Sequence, residues 1–163
     1  MKRRDFVAGT TLLGSGLTLP AAWAQAQNQS QGQSLVTKLL APNPAEFKRQ
    51  WAAFVGKARP VETGLKLDLP VLADNPGAVP VGVMLTAPVT DSVYCQELII
   101  LAELNPVPLA CRLKFSPLSG TTEVALRLRL SQSQTLHALA QMSDGRILAA
   151  RQAVTVAASG CGM

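Results

Sequence analysis

The sequence predicts a mainly β protein: an immunoglobulin-like antiparallel β-sandwich, preceded by an amphipathic helix and followed by a flexible C-terminal arm. Three observations lead there. From residue 65 onward apolar side chains recur with a period of two, clusters of Gly, Pro, Asn, Asp and Ser interrupt that pattern at short intervals, and one segment, residues 44–56, has helical spacing. With 163 residues, 48% hydrophobic and 15% charged, the chain has the length of one domain and too much apolar content for extensive disorder. A small barrel is the alternative architecture.

Taken in order, Lys2-Arg3-Arg4 precede an uncharged stretch over residues 6–22 and then Ala22-Trp23-Ala24, a small-x-small cleavage pattern. Residues 1–24 therefore read as a removable export signal. Arg3-Arg4-Asp5-Phe6-Val7 resembles the twin-arginine type, which implies export of a folded protein to the periplasm. A permanent anchor is the competing reading, but the apolar run is shorter and richer in Gly and Thr than the ~20 residues of a membrane span. Losing Lys2, Arg3, Arg4 and Asp5 leaves twelve basic and nine acidic side chains, a net charge of +3. The basic residues are scattered from Lys38 to Arg151 rather than clustered in a stripe, which excludes a phosphate-backbone binder.

Residues 25–34 contain only Gln, Asn, Ser, Gly and Ala, so residues 25–42 are expected to form a flexible leader. The domain itself is expected over residues 43–156. Its helix has Pro44 in the first turn, Gly56 as a C-terminal cap, and Phe47, Trp51 and Phe54 on one face. That face either packs on the chain's own sandwich or contributes to a partner interface. It holds three of the five aromatics that remain after signal removal, so the rest of the core must be Val, Leu, Ile and Ala.

Strands follow. Leu65, Leu67 and Leu69 alternate with Lys66 and Asp68, and further runs occupy residues 79–86, 98–102, 109–115, 124–130, 135–142 and 147–156. The turns between them are Asp74-Asn75-Pro76-Gly77, Asn105-Pro106-Val107-Pro108, Ser119-Gly120 and Ser143-Asp144-Gly145. About seven short strands spaced in this way make the sandwich.

Enzyme signatures are missing: the sequence has no Gly-rich phosphate loop, Gly-x-Ser-x-Gly, His-Glu-x-x-His or Cys-x-x-Cys. The single histidine, His137, lies in an alternating strand and is expected to be a satisfied or exposed strand residue. A thiol catalyst built from Cys161 and His137 would require the tail to fold back onto that strand. Of the three cysteines, Cys95, Cys111 and Cys161, at least one lacks an intrachain partner. A simple hairpin pairing Leu104 with Leu109 would set Cys111 opposite Ala102, roughly 23 Å along the strand from Cys95. A bridge needs Cα atoms within ~7 Å, so both are expected to be buried strand thiols.

The tail, residues 157–163, reads Ala-Ala-Ser-Gly-Cys-Gly-Met. Ser159, Gly160 and Gly162 leave nothing bulky around Cys161 and little to fix the backbone. Five residues from Val156 give the thiol a reach of roughly 16 Å, the geometry for entering a narrow pocket on another protein. Nothing in the sequence activates this thiol, so activation would come from the partner. Three other readings of the tail stand beside that one: an inert cysteine, an intermolecular disulfide tether, and a soft metal pair of Cys161 and Met163.

The tail resembles the Gly-Gly-Cys-Gly-Gly terminus of the SoxY family, the sulfur-carrier subunits of the Sox thiosulfate-oxidising system. Ala73-Asp74-Asn75 with Val79-Pro80-Val81, Asn105-Pro106-Val107-Pro108, Arg127-Leu128-Arg129-Leu130 and Met142-Ser143-Asp144-Gly145 resemble family segments in order and spacing. The resemblance implies a carrier without catalysis or cofactor of its own, with Cys161 as the covalent attachment point. Thiosulfate would be coupled to it by a haem-containing SoxAX-type enzyme, hydrolysed by a SoxB-type metalloenzyme, and the remaining sulfur oxidised by a SoxCD-type dehydrogenase where present. A heterodimer with a SoxZ-like subunit is also implied. Ser159 and Met163 depart from the family's glycines, and Cys95 and Cys111 are additions to its pattern. A rival from another class is a periplasmic immunoglobulin-like interaction module whose tail cysteine forms an intermolecular disulfide.

Overall fold

The computed structural model describes residues 40–119 and 121–157. The segments expected to be the export signal and most of the leader, and the tail from residue 158, including Ser159, Gly160, Cys161 and Gly162, lie outside them.

Helix α1 spans Pro44–Val55. The Asn43 side chain caps its start by accepting from the Glu46 N–H at 3.1 Å, and Pro44 occupies the first turn, where no backbone donor is needed. Gly56 ends it at φ +58°, a positive φ that glycine adopts without strain, its N–H donating to the Ala52 carbonyl at 2.9 Å.

Eight strands follow: β1 Leu65–Asp68, β2 Leu72–Ala73, β3 Val79–Leu85, β4 Cys95–Ala102, β5 Leu109–Lys114, β6 Glu123–Leu128, β7 Gln134–Met142 and β8 Ile147–Val156. They form a three-stranded sheet in the order β1-β3-β6 and a five-stranded sheet in the order β2-β8-β7-β4-β5. This is the predicted sandwich, with the central strands of the two layers arranged as in an immunoglobulin-type domain. Two features differ from the expectation. β2 is an eighth strand, only two residues long, and it pairs with β8 in parallel, Leu72 opposite Thr155 and Ala73 opposite Val156. The β4–β5 register also differs from a simple hairpin, Leu109 lying opposite Leu101 with a bulge between Ile100 and Leu101, so Cys111 faces Ile100 instead of Ala102.

The five-stranded sheet is buried on both faces. Leu98, Ile100, Leu136, Ala138, Ala140 and Met142 point into the core between the sheets. The alternate residues Ile99, Leu101 and Leu139, each fully buried, point the other way with Ile147 and Ala149, and α1 covers them with Phe47, Trp51, Phe54 and Val55. The helix face therefore packs on the chain's own sheet. This explains why residues 98–102 are an unbroken apolar run: a strand enclosed on both sides has no solvent face to keep polar.

Trp51 is half-buried, so Trp51→Ala is expected to lower the stability of the isolated domain by about 2 to 3 kcal/mol, somewhat less than for a fully buried aromatic. Urea denaturation measures this, and an unchanged midpoint would show that the face serves a partner instead.

Candidate functional site

Cys161, the thiol expected from the sequence to be functional, lies four residues beyond Ala157, and the described backbone that leads to it is the end of β8. That end is held on both sides by three hydrogen bonds. The Thr155 N–H donates to the Val71 carbonyl at 2.8 Å and the Ala157 N–H to the Ala73 carbonyl at 2.9 Å. On the other side, the Val156 N–H donates to the Ser133 hydroxyl at 3.0 Å. The chain is thus ordered backbone up to Ala157, and β2, though only two residues long, supplies one edge of that clamp.

All but one of the segments that carry the family resemblance lie near this end. Asn75 closes the turn after β2, its side-chain oxygen accepting from the Gly77 N–H at 2.9 Å, and the Leu130 N–H reaches back to the Pro76 carbonyl at 2.8 Å. Asn105 ties the β4–β5 loop to the β6–β7 loop. Its side-chain oxygen accepts from the Ser131 N–H at 3.0 Å and from Gln134 Nε2 at 2.8 Å, while its nitrogen donates to the Arg129 carbonyl at 3.0 Å. Ser143-Asp144-Gly145 does comparable work at the opposite end of the sandwich. There Asp144 accepts from the Arg146 N–H at 3.0 Å, Gly145 takes φ +86°, and the Ser143 hydroxyl donates to the Ser92 carbonyl at 3.0 Å. None of these side chains is arranged for catalysis; each satisfies loop backbone.

Cys95 and Cys111 are free thiols, as the sequence suggested. The distance argument holds in altered form, because Cys111 lies opposite Ile100, five residues along β4 from Cys95. Cys95 is 2% exposed, its Sγ lies 3.5 Å from the Glu97 carbonyl, and burial pushes its pKa up to about 11. Cys111, expected to be buried as well, is only half-buried, because β5 is the edge strand of its sheet; the burial it has still raises its pKa.

His137 departs from the expectation of a satisfied or exposed residue. Its ring sits 5.2 Å from that of Phe47 and 5.5 Å from that of Trp51, edge-on to the indole. Its Nε2 is buried without a hydrogen-bond partner, and the nearest carboxylate oxygen, Glu103 Oε2, is 3.7 Å away. The ring lines a cavity of about 650 Å³ together with Phe47, Lys48, Trp51, Glu62 and Arg151. Burial holds its pKa below the ordinary value, with Glu103 opposing and Arg151 reinforcing the shift. The only sequence signal for this was that His137 shares a strand face with Leu139, which is informative only once that face is known to lie under α1. A Cys161–His137 pair is poorly served. His137 pairs with Arg151, about 20 Å back along β8 from Ala157, whereas four residues span at most about 14 Å. Among the described residues no group of three or more His, Cys, Asp or Glu side chains is placed to hold a metal ion.

Comparison with known families decides the kinship. The family described as sulfur oxidation protein SoxY matches residues 51–161, from the helix to the tail cysteine. This chain belongs to the SoxY family. It is accordingly a component of sulfur oxidation. No curated protein matches the chain significantly. Among solved structures, two variants of the superoxide reductase (neelaredoxin) of Ignicoccus hospitalis are similar, each with a TM-score of 0.51. One is 20% identical, over 59% of this chain and 82% of that one. The other is 18% identical, over 70% of this chain and 92% of that one. At such identity the likeness is one of fold alone.

Two outcomes follow from the geometry. Iodoacetamide at pH 8 is expected to leave Cys95 unmodified in the native protein and to label Cys111 slowly, read by peptide mass mapping. Because folding disfavours the protonated imidazole of His137, the unfolded chain binds that proton more readily once pH drops below about 6.5. Stability should therefore decline from pH 7 toward 5, and His137→Gln should flatten that part of the profile, as followed by denaturation midpoints.

Proposed function

We propose that this SoxY-family chain is a covalent sulfur carrier of periplasmic thiosulfate oxidation, with Cys161 as the attachment point and Ser159, Gly160 and Gly162 as the arm that presents it. The observation that carries this reading is the sequence Gly160-Cys161-Gly162 placed four residues beyond a strand end clamped by β2 and Ser133. A firm root and a small-residue tip suit a thiol that must enter another protein's active site while the domain stays outside. Residues 1–24 would act as the twin-arginine export signal, residues 25–42 as leader, residues 43–156 as the domain and residues 157–163 as the arm. No helix among the described residues is long and apolar enough to cross a membrane.

In this scheme the Cys161 thiol and thiosulfate combine into a thiol-bound S–S–SO₃⁻ group. A proton and two electrons are released, and the electrons pass to the haem of a SoxAX-type enzyme. Water then attacks the outer sulfur in a SoxB-type enzyme, sulfate leaves, and a persulfide remains on Cys161. Where a SoxCD-type dehydrogenase is present, that sulfur is oxidised again and the cycle closes by a second hydrolysis. The chain contributes no catalytic group to these steps: it supplies a nucleophilic sulfur, a tether and a domain that binds partners, including a SoxZ-like subunit. The two other thiols are poor competitors, Cys95 because it is buried with its pKa raised and Cys111 because it is set in a strand.

Replacing the attachment atom tests the reading. Cys161→Ser is expected to abolish thiosulfate-dependent turnover in the reconstituted system while the melting temperature and partner binding remain those of the unchanged protein. Full activity in this variant would favour a non-covalent interaction module. Turnover of thiosulfate by the isolated chain would instead favour a self-contained thiol enzyme.

A further inference from the structure

The root of the arm lies among exposed apolar side chains that the fold itself does not use. Val71 and Leu72 are 75% and 59% exposed, yet their backbone belongs to the clamp on β8: Val71 accepts from Thr155, and Leu72 is paired beside it. Val107, 71% exposed, projects from the β4–β5 loop. That loop is at the same end of the sandwich, because β4 ends at Ala102 opposite Leu136, and β7 begins at Gln134 opposite Val154 near the end of β8. Asn105 and Ser131 stitch the loop to the neighbouring turn, so these side chains stand on fixed backbone.

We propose that this end of the sandwich, with Val71 and Leu72 on one flank of the arm root and Val107 on the other, is the surface on which the enzymes that act on Cys161 dock. The inference rests on the carrier reading and follows from chain length. Cys161 is four residues beyond Ala157, so its Cα lies within about 14 Å of a backbone position held by the Ala157–Ala73 hydrogen bond. An enzyme that takes the thiol into an active-site channel brings the rim of that channel at least as close. Leu72 is one strand spacing from β8, about 5 Å, and the β4–β5 loop is two to three spacings away, about 10 to 14 Å. Such a rim therefore meets both flanks. The partner chemistry that fits is a channel mouth with apolar side chains around its edge. A patch of three aliphatic residues is small, as suits a carrier that must leave each enzyme after every step and so needs contacts at the weak end of the range.

The test measures loading of Cys161 from thiosulfate by the host's loading enzyme, using the full mature chain with its partner subunit and intact mass as the readout. Three variants are compared with the unchanged protein: the double variant Val71→Glu with Leu72→Glu, the milder Leu72→Ser, and Leu118→Glu. Leu118 is 94% exposed in the turn after β5, at the opposite end of the sandwich. The double variant is expected to lower kcat/KM for loading at least tenfold, through KM, and Leu72→Ser to lower it severalfold. Leu118→Glu should match the unchanged protein, and iodoacetamide should alkylate Cys161 at the same rate in all of them. Unchanged loading in the double variant, with loading still abolished by Cys161→Ser, would overturn the docking surface and leave the carrier reading standing. Loss of the partner subunit from the double variant would assign the patch to the heterodimer interface, which also overturns it. Failure to load Cys161 in the unchanged protein would defeat the carrier reading, and the docking surface with it.

Discussion

Strand β8 is hydrogen-bonded along both edges, and the architecture depends on that. β7 pairs with it from Ile147 to Val154. On the other edge Val61 bridges its start at Leu148 and β2 holds its end. Between those two contacts the chain crosses to the other layer as β1 and returns. Gly64 makes this crossing possible, at φ +89° and so close to Ala87 and Leu148 that a Cβ there would lie 3.0 and 3.3 Å from their side chains. These hydrogen bonds oppose fraying at the C-terminal end of β8, where frayed backbone would make the proposed arm longer and its starting point indefinite. The reach of Cys161 is therefore a property of the fold as much as of the tail.

The sandwich supports that anchor through double burial. Because α1 closes the outer face of the five-stranded sheet, alternate residues of β4, β7 and β8 fill two cores in turn. Each fully buried aliphatic contributes on the order of 1.5 to 3 kcal/mol, and the edges that face water are short or irregular, β2 by its length and β5 by its bulge. The helix is thus a lid on the central strands. His137 lies beneath the rim of that lid with its Nε2 unpartnered, the one buried side-chain nitrogen or oxygen in that state among the described residues. The surrounding residues accept this as long as the imidazole stays neutral.

Much of the fold was legible in the sequence because its signals are local. Pro44 and Gly56 bound the helix, period-two alternation marks β1 and β6, and Asn75-Pro76-Gly77 and Ser143-Asp144-Gly145 mark turns that the structure builds with the expected side-chain caps. The remainder depends on register and tertiary contact. Two residues cannot show a period, so β2 was invisible, and a parallel pairing with β8, some eighty residues away, leaves no trace in local pattern. The β4–β5 register, with Leu109 opposite Leu101 and a bulge beyond it, sets Cys111 two positions from where a simple hairpin would put it. The environment of His137 depends on which face of β7 the helix covers. For the tail the carrier proposal rests on composition, small residues around a single thiol, while the clamp on the end of β8 that precedes it appears only in three dimensions.

In the proposed carrier each thiol has one role: Cys161 would carry substrate, while Cys95 and Cys111 belong to strands of the fold. The most direct measurement is peptide mass spectrometry, without reducing agent, of the protein isolated from cells oxidising thiosulfate. The account predicts sulfur-containing adducts, a persulfide or an S–S–SO₃⁻ group, on the peptide that contains Cys161, with Cys95 and Cys111 unmodified. Adducts confined to Cys95 or Cys111, with Cys161 bare, would contradict it.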